Sequence, residues 1–151
     1  MTDYGTIDIS MTSMSSRMAT LGQTLRSLLD QNYANLCIHL YLSREPYLLD
    51  KGVTELPEDI QQLQREAAGR LKIQFCPNWG PYRKLLPYRR ANWGSSKLVV
   101  TVDDDTIYPP DWLEGLVAAY HTYRCVIGYR GHRINVREDK IAPYRSWMRT
   151  R

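Results

Sequence analysis

The strongest structural signal in this chain is the segment Lys97-Leu98-Val99-Val100-Thr101-Val102-Asp103-Asp104-Asp105-Thr106-Ile107-Tyr108-Pro109-Pro110. Its first half is aliphatic, β-branched and short, which is typical of a buried strand bounded by turns. The strand runs into three consecutive carboxylates, whose like charges repel unless a cation or water compensates them. Because side chains alternate along an extended backbone, we expect Asp103 and Asp105 to point one way and Asp104 another.

Carboxylates at the carboxyl end of a strand favour a metal site. Their oxygens are the ligands that Mg²⁺ and Mn²⁺ prefer, and ligands of open α/β sheets bind at this end of the strands. We therefore interpret Asp103 and Asp105 as metal ligands that help to bind a phosphorylated compound. A solvated acidic turn without function is the alternative.

The composition is that of an ordinary globular protein. The chain has 151 residues, 43% of them hydrophobic and 24% charged, which predicts a single domain over residues 1–151. No apolar run approaches the roughly 20 residues that span a bilayer, and Met1-Thr2-Asp3-Tyr4 lacks the features of a secretory signal. Three widely spaced cysteines, Cys37, Cys76 and Cys125, are expected to be buried in strands, and indicate a cytoplasmic protein.

The positive charge is concentrated near the carboxyl terminus. From Tyr129 onward there are seven basic and two acidic residues, a net charge of +5, which leaves −1 for the first 128 residues. This basic tail (residues 130–151) could meet phosphate groups, an anionic acceptor or a membrane surface, or it could be only solvated. Nucleic-acid binding is not indicated, because the basic residues lack a recognised motif and the candidate site is acidic.

Strands and helices alternate along the chain. The pattern predicts strands at Ile7–Met11, Leu36–Leu42, Leu71–Phe75, before Asp103, at Val126–Tyr129, and in a hairpin of Arg133–Val136 with Ile141. It predicts helices over about Ser16–Gln31 with a polar N-cap, from Pro57 to Gly69, over Tyr82–Asn92, and after Pro110. His39 is expected to be a satisfied core or edge residue. This order predicts an α/β sandwich with a mainly parallel sheet.

Three segments together resemble one family. They are the helix end Ser27-Leu28-Leu29-Asp30-Gln31-Asn32-Tyr33 after a Thr-Ser loop, the segment Asn78-Trp79-Gly80-Pro81-Tyr82-Arg83-Lys84-Leu85, and Val100–Pro109, which looks like a DXD motif. In this order they are similar to family-two-like nucleotide-diphospho-sugar glycosyltransferases. The resemblance covers roughly Ile7 to Arg133. It implies a GT-A fold, an α/β/α sandwich, truncated here at the C-terminal side because the chain stops about 46 residues after the aspartates.

The resemblance also implies the chemistry of the site. The enzyme would be a hexosyltransferase that uses a nucleotide-diphospho-sugar, with UDP as the expected nucleotide, and Mn²⁺ or Mg²⁺. Asp105 would be the direct metal ligand, Asp103 would contact the donor or the metal through water, and Asp104 would position the donor. The remaining expected nucleotide-binding residues are Thr12, Ser13, Arg17, Lys84 and, less firmly, Arg83.

Several features depart from the family pattern or leave alternatives open. The second strand ends Tyr41-Leu42-Ser43 where many relatives have base-binding acids. Glu138 and Asp139 are the only acids after Glu114, and so are the weak candidates for the catalytic base. A non-catalytic nucleotide-sugar binding module is therefore the alternative function. The sequence does not identify the acceptor. The basic tail is compatible with peripheral association with a membrane. An exposed sheet edge would permit a homodimer.

Two aromatic residues and the Asp-x-Asp pattern each allow a second interpretation. Trp79 and Trp93 could stack on a base or sugar, or could belong to the core or a hinge. An aspartyl-nucleophile phosphatase also has a strand that ends in Asp-x-Asp. It is disfavoured because that motif lies on the first strand, whereas here three predicted strands precede it.

Overall fold

The computed structural model describes residues 5–150, with the side chains of residues 5–147. It divides into two compact units, Met1–Asp111 and Trp112–Arg151, and each unit is described by itself. The single domain expected from the sequence stays a prediction. Within the part of the chain that is described, no helix combines the length and the apolar character needed to cross a membrane.

The first unit is built on a four-stranded parallel sheet, as predicted. Its strands are β1 (Ile7–Thr12), β2 (Leu36–Leu42), β3 (Leu71–Phe75) and β4 (Val99–Thr101). They lie in the order β3-β2-β1-β4, and each neighbouring pair is parallel. The carboxyl ends of all four strands therefore point the same way.

Three helices and two 3₁₀ turns connect these strands. The helices are α1 (Met18–Leu29), α2 (Glu58–Glu66) and α3 (Leu86–Ala91), and the turns are Ser15–Arg17 and Gly80–Lys84. The expected polar N-cap of α1 is wrong: a 3₁₀ turn leads into the helix, and no side chain caps it. Pro87 lies in the first turn of α3, where a missing N–H costs nothing, so it starts the helix.

The two faces of the sheet are covered differently. Apolar side chains of β1 and α1 are completely buried and form the core of one face, namely Ile7, Ile9, Met11, Leu21, Leu25 and Leu28. On this face α1 packs closely on α2, because a Cβ atom at Gly22 would lie 2.7 Å from Oδ2 of Asp59. Alternation places Asp8 and Ser10 on the opposite face. There Tyr88 of α3 donates a hydrogen bond to Asp8, so helical segments cover both faces and the sandwich is confirmed.

The second unit begins with α4 (Trp112–Tyr123) and continues with short antiparallel pairs. Strands β5 (Gly131–Arg133) and β8 (Met148–Thr150) form one pair, and β6 (Val136–Arg137) and β7 (Lys140–Ile141) form the other. The predicted hairpin is confirmed in its second half, with Glu138 and Asp139 at positive φ of 50° and 58° in its turn, the backbone of a tight two-residue hairpin loop.

The predicted strand Val126–Tyr129 is wrong. Val126 is 99% exposed, and the hydroxyl of Tyr129 donates to the carbonyl of Trp112 at 2.9 Å while the two rings stack. These contacts tie the segment back to the start of α4. Because the segment folds back on a helix, its backbone does not pair with a neighbouring strand.

The cysteines differ from one another. Cys37 is buried in β2 as predicted, whereas Cys76 is half-buried just after β3 and Cys125 is exposed. The expectation of three buried cysteines is wrong for the last two, because β3 ends at Phe75 and the strand expected around Cys125 does not form. Arg151 of the basic tail lies outside the described residues.

Candidate functional site

The three aspartates lie where the chain leaves β4. The strand ends at Thr101 and a turn follows. The hydroxyl of Tyr108 accepts a hydrogen bond from the N–H of Asp103 at 2.9 Å and donates to its carbonyl at 3.2 Å. Thr24 of α1 donates to the carbonyl of Asp104 at 3.1 Å. The acidic turn (Asp103, Asp104 and Asp105) is therefore held through its backbone as well as through its side chains.

Two basic side chains contact these carboxylates. Nζ of Lys84 is paired with Oδ1 of Asp103. Nη1 of Arg17 lies 2.6 Å from Oδ2 of Asp105 and 3.4 Å from Oδ1 of Asp104. The expectation that Asp104 points away from Asp105 is wrong: the extended backbone ends before the aspartates, so these two share one guanidinium. Lys84 and Arg17 do lie beside the acidic turn.

The pairing with Arg17 favours the charged form of both partners. The hydrogen bond from Arg17 lowers the pKa of Asp105, and the same bond raises the pKa of Arg17. Asp105 is therefore ionised at neutral pH, which is the form in which a carboxylate binds a metal ion.

The loop after β1 supplies the next layer. Ser13 donates from Oγ to Oδ2 of Asp104 at 2.5 Å, so it lies at the acidic turn. The hydroxyl of Thr12 instead donates to the carbonyl of Tyr41 at 2.7 Å, which joins β1 to β2. Ser13 thus contacts the acidic turn directly, whereas the hydroxyl of Thr12 is used in a hydrogen bond between two strands.

An open pocket of about 320 Å³ adjoins the acidic turn. Its walls include most of the nucleotide-binding residues expected from the sequence, namely Thr12, Ser13, Arg17, Lys84, Asp104 and Arg83. Leu48 and Leu49 also line it although 88% and 83% of their surfaces are exposed. The pocket is therefore polar on the side of the aspartates and has an apolar rim.

Asp50 is a residue of this pocket that the sequence analysis missed. Its carboxylate is buried and accepts hydrogen bonds from the N–H groups of Ser15 (3.0 Å) and Gly52 (3.1 Å). It also accepts from Nη2 of Arg83 at 2.8 Å and Nδ2 of Asn78 at 3.2 Å. Gly52 has φ of +81°, and a Cβ there would lie 2.2 Å from a backbone oxygen, so this loop requires glycine. The pattern Asp50-Lys51-Gly52 is typical of a turn in which the acid accepts a hydrogen bond from the backbone, and it was the sequence signal for this loop.

Arg83 is a structural residue as well as a wall of the pocket. Besides Asp50, its Nη2 donates to the carbonyl of Ser13 at 3.2 Å, and only 3% of its surface is exposed. Its Nη1 has no hydrogen-bond partner among the described residues. The guanidinium thus holds the loop after β1 and retains one unused donor.

The buried pair keeps Asp50 ionised. Burial by itself would raise the pKa of Asp50, but the hydrogen bonds from Ser15, Gly52 and Arg83 oppose it, and the pKa lies below its usual value. The walls of the pocket therefore contain a fixed ion pair.

The remaining candidates from the sequence are described by their own surroundings. Glu138 and Asp139 form the hairpin turn of the second unit. Trp93 is 81% exposed and lies under the guanidinium of Arg89, so a core role for it is wrong. Trp79 lies under Arg90.

The acidic turn fits a hard divalent cation. The side chains of Asp103 and Asp105 are 62% and 56% exposed, so their oxygens are accessible from solvent. An all-oxygen donor set of this kind suits Mg²⁺ or Mn²⁺ better than a soft metal.

Comparisons with known proteins identify the family and the fold. The sequence matches the model of "Glycosyl transferase family 2" over residues 16–150. No curated protein sequence matches the chain. Among ten solved chains that resemble it in fold is the crystal structure of S. aureus TarS 1-349, with 17% identity and a TM-score of 0.54. The match covers 80% of this chain but only 33% of that one, so the chain spans about a third of that structure's length. The fold is therefore GT-A, and the chain belongs to glycosyl transferase family 2.

Proposed function

We propose that this chain binds a nucleotide-diphospho-sugar together with Mn²⁺ or Mg²⁺ and transfers the sugar to an acceptor. One observation carries the proposal: the acidic turn, Arg17 and Lys84 meet at the mouth of a pocket of about 320 Å³. A metal-bound diphosphate carries a positive ion, which the carboxylates would bind, and negative phosphates, which Arg17 and Lys84 would bind. Membership of the family supports glycosyl transfer.

The acidic turn would hold the metal. Asp105 would ligate it directly, Asp103 would ligate it through water or contact the donor, and Asp104, fixed by Ser13, would position the donor. When bound, the cation stabilises the charge that develops on the leaving diphosphate. The sign of the charge and the solvent access of both outer carboxylates support these roles.

Arg17 and Lys84 would bind the diphosphate. Both end in positive groups within contact of the acidic turn, so a phosphate bridged to the same metal would come within their reach. Charge-assisted hydrogen bonds from such groups are among the strong ones. Their proposed role is to hold the leaving group and neutralise it as the glycosidic bond breaks.

The pocket behind them would take the base. Asp50, Asn78 and Arg83 fix its polar wall, and Nη1 of Arg83 is a buried donor without a partner in the described region. UDP is the nucleotide that we propose, because the resemblance to nucleotide-diphospho-sugar glycosyltransferases implies it.

The acceptor side is proposed only in outline. The basic tail favours an anionic or membrane-linked acceptor on the cytoplasmic side. Glu138 and Asp139 stay the candidates for the catalytic base that deprotonates the acceptor. A hexosyl donor and a homodimer through an exposed sheet edge belong to the same proposal.

Release of UDP from UDP-hexoses in the presence of Mn²⁺ tests this function. We expect slow donor hydrolysis by the wild-type chain, none by Asp105→Asn, and wild-type rates for Asp30→Asn, an exposed control at the end of α1. Binding of UDP without release from any donor would instead identify a non-catalytic nucleotide-sugar binding module. Equal rates in wild type and Asp105→Asn would contradict the proposal.

A further inference from the structure

A second group of possible metal ligands lies under the sheet, away from the acidic turn. Asp8 of β1 is paired in register with Cys37 of β2, and His39 follows on the same face of β2. One ligand atom from each residue lies within 4.8 Å of the others. We propose that Asp8, Cys37 and His39 bind a zinc ion, at a site that is distinct from the candidate donor site and independent of the proposed function.

The spacing of the donor atoms suits a small tetrahedral ion. Oδ1 of Asp8 lies 3.2 Å from Nε2 of His39. Zinc bonds of about 2.0 Å to nitrogen and oxygen give a ligand-to-ligand edge of about 3.3 Å in a tetrahedron. An ion can therefore take the place of the proton between these two atoms with little movement, and that proton moves to Nδ1 of His39, so that the ring stays neutral. The Sγ atom of Cys37 lies within 4.8 Å of both atoms and would move closer to become the third ligand, which leaves the fourth position of the tetrahedron to water.

The chemistry of the three ligands selects zinc. Thiolate and imidazole suit Zn²⁺, whereas Mg²⁺ and Mn²⁺ prefer oxygen. One thiolate and one carboxylate neutralise the two charges of the ion, so no net charge is buried. On binding, the thiol proton of Cys37 leaves to solvent, and the metal takes its place.

The surroundings provide the support that metal ligands need. Asp8, Cys37 and His39 are 3%, 8% and 8% exposed. The hydroxyl of Tyr88 donates to the other oxygen of Asp8 at 2.5 Å, and its ring meets that of His39 edge-on. A hydrogen bond of this kind orients a ligating carboxylate.

Hydrogen bonding alone leaves this cluster incomplete. Nδ1 of His39 is buried and has no hydrogen-bond partner in the described part of the chain, contrary to the satisfied histidine expected from the sequence. Zinc would bind Nε2, the nitrogen that faces Asp8, so Nδ1 would carry the ring proton and would not itself be compensated by the ion.

Two lysines also face the cluster. Nζ of Lys97 lies 3.7 Å from Oδ2 of Asp8, but its side chain is 56% exposed and can turn to water. Lys72 of β3 is the register partner of His39 and is exposed. Both ammonium groups can therefore move away when the ion supplies the positive charge.

Cobalt substitution tests the site on the full chain. The protein is refolded with Co²⁺ in an Asp103→Asn/Asp105→Asn background, which weakens metal binding at the acidic turn. We expect a thiolate-to-cobalt charge-transfer band at one equivalent. The additional change Cys37→Ser should remove the band and weaken Co²⁺ binding at least about tenfold, whereas Cys76→Ser, at the half-buried thiol, should keep both.

Zinc bound to the wild-type chain provides a test that needs no variant. Protein produced in zinc-containing medium should retain about one zinc per chain, whose X-ray absorption shows one sulfur and nitrogen or oxygen neighbours. It should also unfold at a higher temperature than the chelator-treated protein. Absence of the cobalt band, a band that persists after Cys37→Ser, or a zinc shell without sulfur would overturn the proposal and identify a hydrogen-bonded network. None of these results depends on nucleotide binding.

Discussion

Nη1 of Arg17 lies 2.6 Å from Oδ2 of Asp105, so the proposed metal ligand already has a cationic partner. A divalent cation competes with Arg17 for this carboxylate, whereas a diphosphate offers Arg17 an alternative partner. Diphosphate binding should therefore favour metal binding, and by linkage metal binding should favour diphosphate binding equally. The contact predicts coupling between the two ligands.

Replacing Arg17 should separate these effects. In Arg17→Gln, we expect Mn²⁺ alone to bind several-fold more tightly because a competing cation is gone. UDP in the presence of Mn²⁺ should bind about tenfold more weakly because a charge-assisted hydrogen bond is lost. Calorimetric titration of each ligand measures both changes. Arg26→Gln, which removes an exposed ion pair with Glu66, is the control.

Gain of Mn²⁺ binding is the informative result for Arg17→Gln, since a damaged fold would not produce it. Weaker binding of both ligands, or no change in either, would contradict the coupling.

Lys84 should distinguish a diphosphate from a monophosphate. Its ammonium group is paired with Asp103 and would contact the phosphate nearest the metal. Lys84→Gln should weaken UDP binding about tenfold and change UMP binding much less, as measured by competition with a fluorescent nucleotide. Equal losses for UDP and UMP would place Lys84 at the base or ribose instead.

The buried pair of Asp50 and Arg83 should matter for stability. Each side chain is 4% exposed, so Asp50→Asn leaves a buried guanidinium without its anion, which costs about 3–5 kcal/mol of the free energy of unfolding. Urea unfolding measures the loss. The control is Glu58→Gln, whose pair with Arg65 is exposed and should contribute less than about 1 kcal/mol. Equal losses in the two variants would show that burial of the first pair has no energetic consequence.

The pair of Asp50 and Arg83 should make the free energy of unfolding depend on pH. Because the folded chain lowers the pKa of Asp50, the stabilisation from its ionised form is fully present above the unfolded pKa of about 3.9. It is lost as the pH falls through the lower folded value. The stability difference between wild type and Asp50→Asn should therefore be constant from pH 7 to about 5 and shrink below about pH 4. A difference that is independent of pH would contradict this assignment.

Elements with a strong local pattern were predictable from the sequence. The strand at Leu36–Leu42 has the predicted bounds, and the apolar stripe of α1 is buried at Leu21, Leu25 and Leu28. The segment Val126–Tyr129 has the same composition as a strand but folds back on Trp112, a tertiary contact that no local pattern contains.

The candidate site was partly predictable for the same reason. The acidic turn follows a strand, so its place at the sheet's carboxyl edge follows from topology. Asp50 belongs to an irregular loop, and its partners Ser15 and Arg83 are 35 and 33 residues away. Only the folded chain brings these residues together.

Calorimetric titration of UDP, with and without Mn²⁺ and beside UMP, tests the central claim most directly. We predict that UDP binds measurably only with Mn²⁺, that UMP binds much more weakly, and that Asp103→Asn/Asp105→Asn abolishes the effect of the metal. Binding of UDP that is the same with and without Mn²⁺, or unchanged in that double variant, would contradict a metal-diphosphate site at the acidic turn.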